Sequence, residues 1–354
     1  MKKLLPVFIL GVLLILGSLG KNSVSFLLAQ LSLISVLFFW TLFTREAKSP
    51  PGFILYLIFL GIVVWKFISG SRDGGADYLY LFAGGGLLWF SAFNQKEKWG
   101  GYLEKLILVF GLAMAALYVL WLIFSPGLIL PQSLFTFSSA FKNHNHIGDL
   151  WAIVLLVVAR KLVAKGGLYY WLLAVLGLIL MYLSFSRSAV VAFLAGAIYL
   201  FGNIDYLKRN KYIFTFLSLG ITAVFLLTSI NKSIFFSRPY FTQAISGLSK
   251  YPSGVGMGNF KLVSSRFDVG TFSSIVHNLV LEVMVGLGWI GVVFVVWLGN
   301  VLWQGVVGAK NRIAYAVFLG LTVNFLFDST YLIPSMVWLW FLSLGLSRGQ
   351  HNLR

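Results

Sequence analysis

Two side chains stand out because their chemistry fits poorly with their surroundings. Arg187 lies in YLSFSRSAVVAF, Tyr182–Phe193, within a run from Leu168 to Ile204 that holds no other charge. A guanidinium at the centre of a bilayer costs about 2.5–3.5 kcal/mol on insertion scales. The run is too long for one helix and right for two. Ser186 and Ser188 flank the arginine, and serine caps helix starts well, so the pattern predicts two helices with Arg187 at a tight turn. An arginine so placed either snorkels from a helix end or holds an anion. His277, followed by Asn278, opens a later apolar run. At a helix start the dipole disfavours an imidazolium. A neutral imidazole accepts a proton, as a general base must; the plainer alternative is a polar residue at an interface.

Other polar groups carry weaker signals. The glycines of GVGMGN, Gly254–Asn259, could turn backbone N–H groups toward an anion, or simply make a turn. As a dinucleotide fingerprint the run fails, because no strand–helix unit surrounds it. His144 and His146 have a spacing open to metal. The chain has no cysteine and few carboxylates nearby, so no metal site and no cofactor are expected. Asp149 and Asp328 fall near the ends of apolar runs, where they could cap helices or tune partners. Glu282 lies about a turn and a half beyond His277, placed to pair with a neighbour inside a bundle.

The elements that must position these groups are membrane helices. Of 354 residues, 59% are hydrophobic and 10% charged, against about 25% charged in a soluble domain. Mean hydropathy is +0.90. The pattern predicts an all-α polytopic protein with one transmembrane domain over residues 1–354 and about twelve spans. These lie near 4–20, 24–44, 52–70, 76–93, 105–124, 147–163, 168–185, 188–204, 212–229, 276–303, 313–328 and 332–347. The first resembles a signal peptide but has no convincing cleavage site, and reads as a helix. The aromatic content of 17% is what interfacial belts would need. The net charge of +17 does not imply nucleic acid, because the basic residues lie between apolar runs rather than on a soluble face.

Those basic residues orient the chain. Lys2 and Lys3, Arg45 and Lys48, Lys96 and Lys98, Arg160, Lys161 and Lys165, Lys208, Arg209 and Lys211, Lys310 and Arg312, and Arg348 and Arg354 occupy every second connection. Both termini are then cytoplasmic. Two long connections fall outside, 125–146 and 231–276, the second preceding the tenth span. The outer face gathers His144, His146, His277, Arg187, Arg238, Arg266, Lys232, Lys250 and Lys261.

Four stretches on that face, in order, resemble motifs of the O-antigen ligase and O-antigen polymerase superfamily. NHNHIGDLWA resembles its Asn-x-x-Gly segment before a span, and SFSRSAVVAF its Ser-Arg-Gly/Ser hairpin. SRPYF through GVGMGNF looks like its arginine-led outer loop. HNLVLEVMVGLGWIG is similar to its His-Asn-x-x-Leu…Gly-x-x-Gly motif. The strongest part covers Asn143–Val293. One departure matters: where many relatives carry Glu two residues before the first Gly of the last motif, this chain has Gly286.

The resemblance implies a GT-C-like, metal-independent glycosyltransferase of the cell membrane, with 231–276 as its extracytoplasmic catalytic loop. Its donor would be a polyprenyl-pyrophosphate-linked glycan, its acceptor a glycan, lipid or protein hydroxyl, with membrane lipids around it. Arg187 and Arg238 would hold the pyrophosphate, for which a bidentate permanent charge is suited, and His277 would be the base. Lys232, Lys250, Arg266, Gly256, Gly258, Asn259 and Asn278 would line the glycan or phosphate site. Ligase and polymerase stay open within this family. From another class, a transporter stays open, as some relatives are described as inorganic-carbon transporters.

Overall fold

The apolar run from Leu168 breaks at Phe185 and Ser186, where its serines predict a break. The computed structural model describes residues 5–18, 24–44, 47–70, 75–124, 144–202, 209–229, 239–266 and 273–348. Among these the structure is all helical. In chain order the helices are α1 (Leu5–Ser18), α2 (Val24–Thr44), α3 (Phe53–Ser69), α4 (Gly75–Trp99), α5 (Leu103–Phe124), α6 (His144–Lys165), α7 (Leu168–Ser184) and α8 (Arg187–Phe201). There follow α9 (Lys211–Ser229), α10 (Pro239–Lys250), α11 (Phe260–Ser264), α12 (Leu279–Leu287), α13 (Val292–Gly308), α14 (Arg312–Phe325) and α15 (Pro334–Ser347). Short 3₁₀ turns, Gly288–Gly291 and Ser329–Leu332, link α12 to α13 and α14 to α15.

Three stretches are long and apolar enough to cross a membrane: Leu27–Thr44, Leu103–Leu120 and Leu279–Gly308. Seven shorter apolar helices accompany them, including α7, α8, α14 and α15. The expected span 276–303 is therefore two helices in line, jointed at the 3₁₀ turn.

The connection expected outside, 231–276, is not all loop. It contains α10, whose Phe241, Ala244 and Gly247 are buried. Phe241 and Ala244 form a small core with Phe260, Val263, Val276 and Val285. Apolar residues at 241, 244 and 248 follow a helical period, and Pro239 suits the first helical position.

The centre of the bundle is α4, α6 and α15. α6 is buried without interruption from Ile147 to Ala159. α4 lies against α15 so closely that a Cβ at Gly85 would stand 2.1 Å from the Phe341 ring. Small residues at such crossings let backbones approach, which suits association where lipid removes the hydrophobic drive. Many large aromatic rings are buried in the bundle. Trp89, Trp99, Trp151, Trp297, Trp338 and Trp340 are all buried. The indoles of Trp338 and Trp340 donate to Gln30 and Thr322, each at 2.8 Å. Large rings fill the space between helices, and in Trp338 and Trp340 a polar partner satisfies the N–H, whereas the buried indole N–H groups of Trp89, Trp99, Trp151 and Trp297 meet no acceptor among the described residues.

Among the described residues, basic side chains of three connections are tied to neighbouring helices. Arg160 pairs with Glu104 at 2.5 Å and Lys161 joins the same carboxylate. Arg312 donates to the Tyr199 carbonyl at 2.9 Å. Arg348 is buried, with Nη2 donating to the Val301 carbonyl at 3.0 Å and Nη1 bonded to Gln304. Burial pushes its guanidinium down to about 10.

Candidate active site

The local order of the site begins at α12. Asn278 caps the helix: its side-chain oxygen accepts the Leu281 N–H at 2.9 Å. Its amide donates to the Leu326 carbonyl at 2.9 Å, tying the start of α12 to the end of α14. His277, just before, has φ of 55°. A non-glycine residue there stores about 1–3 kcal/mol and persists only where its surroundings over-determine it. Those surroundings are visible. Buried Glu282 reaches back to accept the Val276 N–H at 3.0 Å and also receives the Tyr331 hydroxyl at 3.4 Å. The Tyr240 ring, from α10, lies with its centroid 5.0 Å from the imidazole. The histidine side chain stays 30% exposed, open on one side.

His277 Nδ1 stands 3.9 Å from Asp328 Oδ1. Asp328 itself is buried and caps the 3₁₀ turn, accepting the Ser329 N–H at 2.6 Å. His146, in the first turn of α6, brings Nε2 within 4.0 Å of the same oxygen. Two imidazoles therefore face one carboxylate.

The other oxygen of Asp328 leads to the Arg187 hairpin. Phe185 ends α7 in the left-handed region, with its N–H donating to Tyr182 at 3.1 Å. Ser186 then caps α8, accepting the Ala189 N–H at 3.2 Å. The Ser188 hydroxyl lies 3.4 Å from Asp328 Oδ2 and 3.0 Å from Asp149 Oδ1. Ser186 donates to the same Asp149 oxygen at 2.7 Å, and the two serine hydroxyls are 2.7 Å apart. Both carboxylates thus converge on the N-terminus of α8, whose dipole favours negative charge. Arg187 is half-buried between these two serines. The hairpin lies tight on α6: a Cβ at Gly148 would stand 2.0 Å from Ser184 Oγ. That glycine is the last residue of the Asn-x-x-Gly segment.

The glycine run makes a turn clamped to α12. The N–H groups of Val255 and Gly256 donate to the Val285 and Gly286 carbonyls at 3.1 and 2.8 Å, so neither points at a ligand. Gly254, Gly256 and Gly258 all have positive φ, which only glycine adopts freely. Asn259 is buried, its amide donating to the Val255 carbonyl at 3.1 Å. Gly286 is itself required: a Cβ there would meet the Met257 sulfur at 2.6 Å and its Cα at 3.0 Å.

The remaining sequence candidates are more peripheral. Arg266 is exposed, bonded to the Tyr251 hydroxyl at 2.5 Å and stacked over that ring. Lys250 is exposed at the end of α10. Arg238 and Lys232 lie outside the described residues, as does the His144 side chain.

The structure thus brings His277 and the Arg187 hairpin together through Asp328, and adds His146 to the group. A signal for part of this was present in the sequence. His146 and Asp149 are three apart and share a helix face. No sequence signal placed Asp328 beside them. In comparisons with known proteins, no family model, no curated protein and no solved structure matches the chain.

Proposed function

We propose that this protein is a multi-pass membrane glycosyltransferase that moves a glycan from a polyprenyl-pyrophosphate donor to an acceptor hydroxyl at the extracytoplasmic face of the plasma membrane. One observation carries the reading: Asp328 has the His277 imidazole 3.9 Å from one oxygen and Ser188, next to Arg187, 3.4 Å from the other. The backbone that carries Arg187 and the imidazole of the partly exposed His277 are therefore linked through one carboxylate. The twelve-span topology with both ends cytoplasmic belongs to the same proposal, and the basic residues at every second connection support it.

In the proposed reaction Arg187, with Arg238, binds the pyrophosphate. His277 takes the proton of the acceptor hydroxyl as its oxygen attacks the anomeric carbon. The carbon–phosphate-oxygen bond breaks and the electron pair leaves with the lipid pyrophosphate. The negative charge that grows on this leaving group is what a fixed guanidinium stabilises. Lys250 and Arg266, with Lys232, are placed by this reading around the glycan or the phosphates. Gly256, Gly258 and Asn259 would act by holding the loop in shape, and Asn278 by fixing His277. No metal enters the reaction. Whether the acceptor is a lipid core, a protein or a second lipid-linked glycan decides between ligase and polymerase.

A transporter is the second reading, because Asp149 and Asp328 are buried carboxylates in a chain rich in apolar helices, and such groups mark ion pathways. The test is purified protein in lipid nanodiscs given a polyprenyl-pyrophosphate oligosaccharide and a mixture of hydroxyl acceptors. Glycan transfer with release of the lipid pyrophosphate supports the transferase. An intact donor, with bicarbonate or proton uptake into proteoliposomes, supports the transporter.

A further inference from the structure

We infer that Asp328 and Asp149 form a positioning pair: Asp328 sets the orientation of the His277 ring, and Asp149 holds the hairpin that presents Arg187. The inference rests on the proposed function for its purpose, but its first readout does not depend on any activity.

His277 offers Nδ1 to Asp328 and not Nε2. A carboxylate accepts only, so a neutral ring that turns Nδ1 onto Asp328 does so with the proton on that nitrogen, which leaves Nε2 bare. A bare Nε2 is the atom that can take a proton from a hydroxyl. The 3.9 Å separation is longer than a hydrogen bond, and contacts of this kind often tighten only when substrate is bound. Asp328 is itself held by the Ser329 N–H at 2.6 Å. His146 approaches the same oxygen at 4.0 Å, which keeps a second donor beside that carboxylate when His277 turns toward substrate.

Asp149 works on the other element. Both serines that flank Arg187 reach its Oδ1, at 2.7 and 3.0 Å. Asp149 comes from the buried core helix α6, the most rigid support nearby. Ser188 also reaches Asp328, so the two carboxylates hold the arginine hairpin and the histidine in one frame. The groups facing the pair are His146 from α6, Ser186 and Ser188 from α8, His277 from the start of α12, Asn324 from α14 beside Asp149, and Ser329 from the turn after α14. Arg187 enters through its backbone between the two serines.

The experiment uses full-length protein with ¹⁵N-labelled histidine in nanodiscs, the His277 signals assigned by their loss in His277→Ala. Wild type should show a protonated Nδ1 and a bare Nε2. Asp328→Asn replaces an obligate acceptor with an amide that can also donate. It should mix the two tautomers and slow single-turnover transfer by about 10²-fold or more, with donor binding retained. Asp149→Asn should do the opposite, weakening donor binding while the His277 tautomer stays as in wild type. Ser188→Ala removes only the bridging hydroxyl, and should fold if the larger changes do not; it should impair both readouts. An unchanged tautomer in Asp328→Asn, or donor binding untouched in both Asp149→Asn and Ser188→Ala, would overturn the inference. The expected tautomer pattern in a protein with no transferase activity would instead overturn the functional reading alone.

Discussion

The Glu282 carboxylate accepts the Val276 N–H at 3.0 Å, closing a loop around His277. The contact joins the first turns of α12 to the residue just before the histidine, whose backbone is strained. Glu282→Ala should leave the Val276 N–H and the Tyr331 hydroxyl without their acceptor. A buried donor without a partner costs about 1–3 kcal/mol, so the variant should melt lower in fluorescence size-exclusion and transfer more slowly. Glu282→Gln keeps an acceptor oxygen and should lie between. Equal melting and equal transfer for wild type and Glu282→Ala would remove Glu282 from any positioning role.

Gly286 stands where the sequence motif would lead one to expect Glu, and its packing against Met257 is tight. The Met257 backbone occupies the space of a side chain at 286. Gly286→Glu should therefore reduce the yield of folded protein sharply. Gly286→Ala should destabilise by about 1–3 kcal/mol, the usual cost of overpacking. A Gly286→Glu protein that folds and melts like wild type would contradict this packing.

Cysteine substitutions in this cysteine-free chain report topology directly. Positions 165 and 209 should be protected from an impermeant thiol reagent applied outside, and positions 187 and 250 should be labelled. Labelling at 165 with none at 250 would invert the arrangement and put the candidate site on the wrong face.

Transfer should survive a chelator. The proposed reaction would use a guanidinium and an imidazole, and the carboxylates nearby already face serines and histidines. Loss of activity on chelation, restored by one specific ion, would turn His144 and His146 into ligand candidates.

Part of this site was legible in the sequence, for reasons that differ by residue. The hairpin at Arg187 was readable because one charge and two capping serines interrupt an apolar run too long for a single helix. His277 with Asn278 was readable because capping is local. Asp149 and Asp328 could be assigned to the ends of apolar runs, but their meeting at Ser188 is a tertiary fact that no periodicity carries. α10 was missed because it sits inside a connection whose overall polarity reads as loop, although its apolar residues follow a helical period. The placement of the tryptophans was not legible, since exposed and buried rings look alike in composition: Trp89 and Trp340 are buried while Trp65, Trp289 and Trp303 are exposed. The glycine run reads equally as anion cradle or turn until its N–H partners are known, and two of them are spent on α12.

The most direct test of the central claim separates binding from chemistry in folded His277→Ala and Arg187→Ala. Donor binding and single-turnover transfer would be measured in nanodiscs, with fluorescence size-exclusion to establish folding. His277→Ala should bind donor nearly as wild type and transfer about 10²–10⁴-fold more slowly, the usual range for a lost general base. Arg187→Ala should weaken donor binding and also slow transfer, because the charge it meets grows in the transition state. Arg187→Lys should rescue poorly, since an ammonium cannot copy the planar two-pronged contact. Near-normal transfer by folded His277→Ala, or normal binding and transfer by Arg187→Ala, would contradict the account.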